Sequence, residues 1–144
     1  MDLSSIYNEI VMEHSSNSPY KTDLGKDAVC AVGHNPNCGD EIKLQAIVKD
    51  GIIEDLAFSG HGCAISQSST SLMIETLLGK KVSQAKKIIK IFIKMIKRES
   101  ITEKEKSLLK NCAIFENVSN MPSRAKCATL SWHTLDDLLK QLEK

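Results

Sequence analysis

The chain has 144 residues, 4% aromatics and a formal net charge of +1. That length suits one domain, 1–144, with a core of Ile, Leu, Val, Ala and Met, and the near-zero charge without a polybasic tail argues against a nucleic-acid partner. No apolar run approaches the roughly 20 residues of a membrane span and no signal-peptide pattern opens the chain, so the expected compartment is the cytoplasm, where thiols stay reduced.

Leu3 to His14 carries Ile6, Ile10 and Val11 at helical spacing. Ser15 to Lys26, with Pro19 and Gly25, reads as a connecting loop. Asp27 to Val32 reads as a first strand and Glu41 to Lys49 as a second, with Ile42, Leu44, Ala46 and Val48 pointing inward. Asp50-Gly51 is a two-residue hairpin signal, and Ile52 to Phe58 returns as the third strand before Ser59-Gly60-His61-Gly62 ends the sheet. Three antiparallel strands need helices on one face, so the expected class is α+β. Cys63 opens a helix rich in small residues that stops at Gly79. Ser83 is the expected cap of the next helix, whose stripe of Ala85, Ile88, Ile89, Phe92, Met95 and Ile96 faces inward. Its lysine-rich face from Lys86 to Lys97 reads as the solvated side. Thr102 and Glu105 stand in capping-box register. A short helix is expected within Asn111 to Asn120. One more runs from Pro122 to Leu130 and a last one from Thr134 to Leu142, with Trp132 and His133 between them at a rim.

Chemistry concentrates in three places. In His34-Asn35-Pro36-Asn37-Cys38-Gly39-Asp40, a turn places a thiol and a carboxylate one glycine apart, and alternate residues of an extended chain point to the same side. Cys63 lies where a Gly-rich turn meets a helix N-terminus, whose unpaired N–H groups favour a thiolate. Cys127 sits in the first turns of a helix, with the cations Arg124 and Lys126 just before it. Each of these last two cysteines also suits a buried packing position. Together, Cys38, Asp40, Cys63 and Cys127 would make a tetrahedral S3O1 set that zinc accepts, with Arg124 and Lys126 offsetting its surplus negative charge. His34 and His61 are competing ligands, whereas Cys30 and Cys112 read as packing residues. No C-x-x-C pair exists, so neither a ribbon-type zinc motif nor a thioredoxin-type redox pair is present.

Three blocks carry a resemblance: Asn35-Pro36-Asn37-Cys38-Gly39-Asp40, Gly60-His61-Gly62-Cys63-Ala64-Ile65-Ser66, and Pro122-Ser123-Arg124-Ala125-Lys126-Cys127. In this order they resemble the iron–sulfur assembly family of IscU/NifU N-terminal type, and specifically its SufU branch. Scaffold members of the family carry a cysteine where this chain has His61 and a histidine where it has Lys126. They also lack a helical segment like the one around Glu99 to Val118. The resemblance implies a zinc-bound sulfur acceptor that takes persulfide sulfur from a cysteine desulfurase of SufS type and passes it to a downstream scaffold or other acceptor. A metal-bound thiolate is a weaker nucleophile than a free one, so transfer needs one ligand to leave the zinc when the partner docks. Cys38, on a Gly/Pro/Asn loop, is the expected acceptor, while Arg124 balances charge or contacts the partner. The rival expectation is a scaffold that assembles a [2Fe–2S] cluster on Cys38, Asp40, Cys63 and Cys127. A purely structural zinc site is the third, although a loop carboxylate is an unusual ligand for one.

Overall fold

A computed structural model describes residues 9–16, 18–35 and 39–142. Three strands, β1 (Val29–Asn35), β2 (Asp40–Lys49) and β3 (Ile52–His61), form an antiparallel sheet in the order β1-β2-β3. Asp50 and Gly51 close the β2–β3 hairpin with φ of 54° and 74°. Two positive values in succession define the turn that follows the strands' own twist, and this explains why Asp-Gly occupies it. Among the described residues, five α-helices join the sheet: α1 (Glu9–Ser16), α2 (Ala64–Leu77), α3 (Val82–Ile96), α4 (Glu103–Leu108) and α5 (Pro122–Leu142). The first part of the expected leading helix, Leu3 to Asn8, lies outside the described residues.

The inward face of β2 carries Ile42, Leu44 and Ala46, each fully buried against the helices. A register shift at Ile47/Val48 breaks the alternation, so Val48 is only partly buried. Part of the opposite face is covered by the segment after α1. There the Gln45 side chain accepts a hydrogen bond from Leu24 N–H and donates one to Asp23 Oδ1, both at 3.1 Å. Cys30, Val32 and His34 alternate onto that same outer face of the edge strand and are exposed. The packing role expected of Cys30 is therefore incorrect, because its side chain lies on the sheet face turned away from the helices.

Cys112 is fully buried, 3.4 Å from Thr76 Oγ1. Burial pushes its thiol up to about 12, so it remains protonated and inert near neutral pH. Iodoacetamide at neutral pH is accordingly expected to modify Cys30 and spare Cys112 in the folded protein, which peptide mass spectrometry reads directly.

Three helix boundaries differ from expectation. Ser83 does not cap α3; Lys81 holds that position without a side-chain bond. The hairpin does the work instead, since the Gly51 carbonyl accepts the Val82 N–H at 2.8 Å and so satisfies one orphan donor of the first turn. The segment before α5 is a 3₁₀ helix, Lys110–Asn120. Leu109, Cys112, Phe115 and Val118 are buried at intervals of three residues, a period that matches three residues per turn rather than 3.6. Finally, α5 is continuous across Trp132 and His133. No Gly or Pro interrupts it after Pro122, and Trp132 is fully buried rather than at a rim, its ring stacked on Phe92 at 3.9 Å between centroids. The capping box at α4 forms as expected, with Thr102 N–H to Glu105 Oε1 at 2.9 Å and Glu105 N–H to Thr102 Oγ1 at 3.0 Å. No described helix is long and apolar enough to cross a membrane.

Candidate metal centre

Antiparallel pairing decides which residues meet. Glu41 at the start of β2 pairs with His61 at the end of β3. The residue before Glu41 and the chain leaving His61 therefore share one end of the sheet, and these are Asp40 and the Gly62-Cys63 entry to α2. The first turns of α5 reach the same end, bringing Cys127. One ligand atom each from Asp40, Cys63 and Cys127 lies within 4.8 Å of the other two. Asp40 and Cys127 are 2% and 3% exposed and Cys63 is half-buried, so the cluster sits just below the surface.

Cys63 is the N-cap of α2, and its Sγ accepts the Ser66 N–H at 3.4 Å. Its own N–H donates to Asp40 Oδ1 at 3.0 Å, while Asp40 Oδ2 stands 3.9 Å from Cys63 Sγ. Tetrahedral zinc, with Zn–S near 2.3 Å and Zn–O near 2.1 Å, would hold sulfur and oxygen about 3.6 Å apart. The observed separation needs only a small contraction, so the donor set fits such an ion. Gly62 is part of the fit: a Cβ there would stand 2.8 Å from Asp40 Oδ1. Gly62→Ala is expected to displace the carboxylate and weaken metal binding by about tenfold, as measured by competition with a chromogenic chelator.

Cys38 lies outside the described residues. Neither His34 nor His61 belongs to the cluster. His34 lines a cleft of about 550 Å³ between β1 and α5 together with Lys126 and His133. His61 is exposed, with its Nε2 3.7 Å from Glu41 Oε2. Arg124 is half-buried in the first turn of α5, three residues before Cys127 and so on the same helical face. Gly62 and Ser66, which in the sequence stand only within the motif around Cys63, lie one residue before the helix cap and three after it, and so frame the entry to α2.

A family model described as the NifU-like N terminal domain matches residues 6–128. The chain belongs to this family. Among its NifU-like relatives, the protein named iron–sulfur cluster assembly scaffold protein IscU from Thermotoga maritima is 35% identical over 144 residues, 100% of this chain and 99% of the relative. The protein named zinc-dependent sulfurtransferase SufU from Bacillus subtilis is also 35% identical, over 94% of this chain and 90% of its own. A crystal structure from Fervidobacterium islandicum AW-1, described as an iron–sulfur cluster assembly scaffold protein for the SUF system, superposes with a TM-score of 0.88 at 34% identity. It covers 96% of this chain and 99% of its own, so the three-stranded sheet with its helices is the NifU-like fold. Two relatives of equal identity carry different functional names, so overall similarity does not choose between a scaffold and a sulfur carrier.

Proposed function

We propose that this NifU-like protein works in iron–sulfur cluster assembly as a zinc-bound sulfur acceptor for a cysteine desulfurase. The observation that carries the reading is the convergence of Asp40, Cys63 and Cys127 within 4.8 Å. Cys38, two residues before Asp40 in the chain, completes the S3O1 set. Zinc at such a site supplies a redox-inert Lewis acid that keeps cysteines as thiolates without promoting their oxidation.

Cys38 is the acceptor in this reading. Its thiolate attacks the outer sulfur of the desulfurase persulfide, a new S–S bond forms on Cys38, and the desulfurase cysteine leaves as a thiolate. One S–S bond replaces another, so no external oxidant or reductant takes part in the transfer. Arg124 offsets the excess negative charge of three thiolates and a carboxylate around a dication. His61 and Lys126, where scaffold members are expected to carry cysteine and histidine, support the carrier reading. So does the helical segment holding α4 and the 3₁₀ helix. The persulfide on Cys38 is then handed to a downstream scaffold or other acceptor, which makes the protein a sulfurtransferase in the compartment of that pathway, the cytoplasm.

The test combines metal analysis with desulfurase turnover in the presence of a reductant. The wild-type protein is expected to purify colourless with one zinc and to accelerate the desulfurase, and Cys38→Ala to lose that acceleration. A Cys38→Ala protein as stimulatory as wild type would reassign the acceptor. The scaffold reading, which rests on relatives of similar identity bearing that name, instead requires a brown protein with labile sulfide.

A further inference from the structure

Among the described residues, three side-chain oxygens are buried without a hydrogen-bond partner: Ser66 Oγ, Gln67 Oε1 and Ser131 Oγ. An unmade bond at a buried hydroxyl is costly, so each such atom calls for a physical reason. Hydroxyls elsewhere on α2 behave ordinarily. Ser68 donates to the Ala64 carbonyl at 2.6 Å and Thr70 to the Ser66 carbonyl at 2.8 Å, the usual return to the preceding turn. Ser66, 1% exposed, does not. Its Oγ is turned toward Gly62, 3.1 Å from the point where a Cβ would stand, and that same point is 2.8 Å from Asp40 Oδ1. The hydroxyl and the carboxylate therefore face one another across a bare glycine.

The two oxygens of Asp40 have separate surroundings. Oδ2 faces the Cys63 sulfur, whereas Oδ1 accepts the Cys63 N–H. A carboxylate that binds a metal through one oxygen is oriented by what holds the other. We propose that Ser66 is a positioning residue of the metal centre. In the loaded site its hydroxyl donates to Asp40 Oδ1 beside the Cys63 N–H, and so fixes Oδ2 toward the sulfurs. The role explains an otherwise wasted hydroxyl, and it explains why position 62 has no side chain to stand between the two groups. It rests on Asp40 being a ligand, as proposed above.

The experiment measures zinc affinity by chelator competition for wild type, Ser66→Ala, Asp40→Ala and the double variant, with melting of each metal-free protein alongside. Ser66→Ala is expected to weaken zinc binding by about tenfold. In the Asp40→Ala background the same change should have an effect of less than about twofold, because its target is gone. Metal-free Ser66→Ala should melt at or above the wild-type temperature, since it removes an unsatisfied group. Unaltered zinc affinity in Ser66→Ala, or an equal loss in both backgrounds, overturns the assignment while leaving the centre itself intact. A wild-type protein that takes up no zinc overturns the proposed function and this inference with it.

Discussion

Trp132→Ala is expected to destabilise the metal-free protein by about 3–5 kcal/mol, the cost of removing a large aromatic from a close-packed core. Trp132 is fully buried at the crossing of three helices. Its ring lies on Phe92 of α3 with centroids 3.9 Å apart and planes 8° from parallel, and its Nε1–H donates to Ser69 Oγ of α2 at 2.9 Å. Phe115 from the 3₁₀ helix meets Phe92 edge-on at 6.3 Å, which extends the aromatic contact to a fourth element. Alanine leaves a cavity that rigid helices close only in part. Ser69 still donates to the Ala128 carbonyl at 2.6 Å, so the polar loss is small beside the packing loss. Trp132→Phe keeps the stacking surface and loses one hydrogen bond, and it should cost only about 1–2 kcal/mol. Urea unfolding followed by far-ultraviolet circular dichroism measures both, since the alanine variant removes the chain's single tryptophan. A loss below about 1 kcal/mol for Trp132→Ala would mean that α5 is not held by this contact.

That residue also shows where sequence reasoning stops. Ser131-Trp132-His133 falls between the expected helix end at Leu130 and the expected start at Thr134, in a run of polar or bulky side chains poor in helix propensity. Tertiary contacts decide otherwise: a buried indole with a stacking partner and a hydrogen-bond acceptor outweighs a few tenths of a kcal/mol of propensity. Thr134 Oγ1 bonds back to the Leu130 carbonyl at 2.8 Å, within the helix it was expected to start. The α3 entry differs for a similar reason, because its first N–H is satisfied by the carbonyl of Gly51, thirty-one residues earlier in the chain. Local rules succeed where the interaction is local, as at the Asp50-Gly51 turn and the Thr102–Glu105 capping box.

The candidate centre was more legible than the boundaries around it. The alternation of β2 and the Asp-Gly hairpin fix which ends of β2 and β3 lie together, so Asp40 and Cys63 are brought close by register alone. Cys127 is harder to place, because nothing local says where α5 runs relative to the sheet. Ser66 was illegible in another way. Its position is ordinary for a helix start, and only the absence of a partner in the folded protein sets it apart.

Cys63 carries two roles that substitution can separate. As N-cap it accepts the Ser66 N–H, and as a member of the cluster it faces Asp40 Oδ2 at 3.9 Å. Cys63→Ala removes both, so zinc affinity should fall by about a hundredfold or more and the metal-free protein should lose about 0.5–1 kcal/mol. Cys63→Ser restores a strong helix cap, because a hydroxyl oxygen accepts an N–H bond better than sulfur does. Its metal-free stability should therefore equal or exceed that of wild type. A hydroxyl remains protonated where a thiol ionises, so serine does not replace the thiolate as a ligand and zinc binding should stay as weak as in Cys63→Ala. Cys127→Ala gives the complementary case: alanine is a good helix former inside α5, so its metal affinity should fall as far while its metal-free stability changes by only about 1 kcal/mol. Chelator competition and urea unfolding on the three variants read the two roles independently. Wild-type zinc affinity in Cys63→Ser would remove Cys63 from the ligand set and leave it as a helix cap alone.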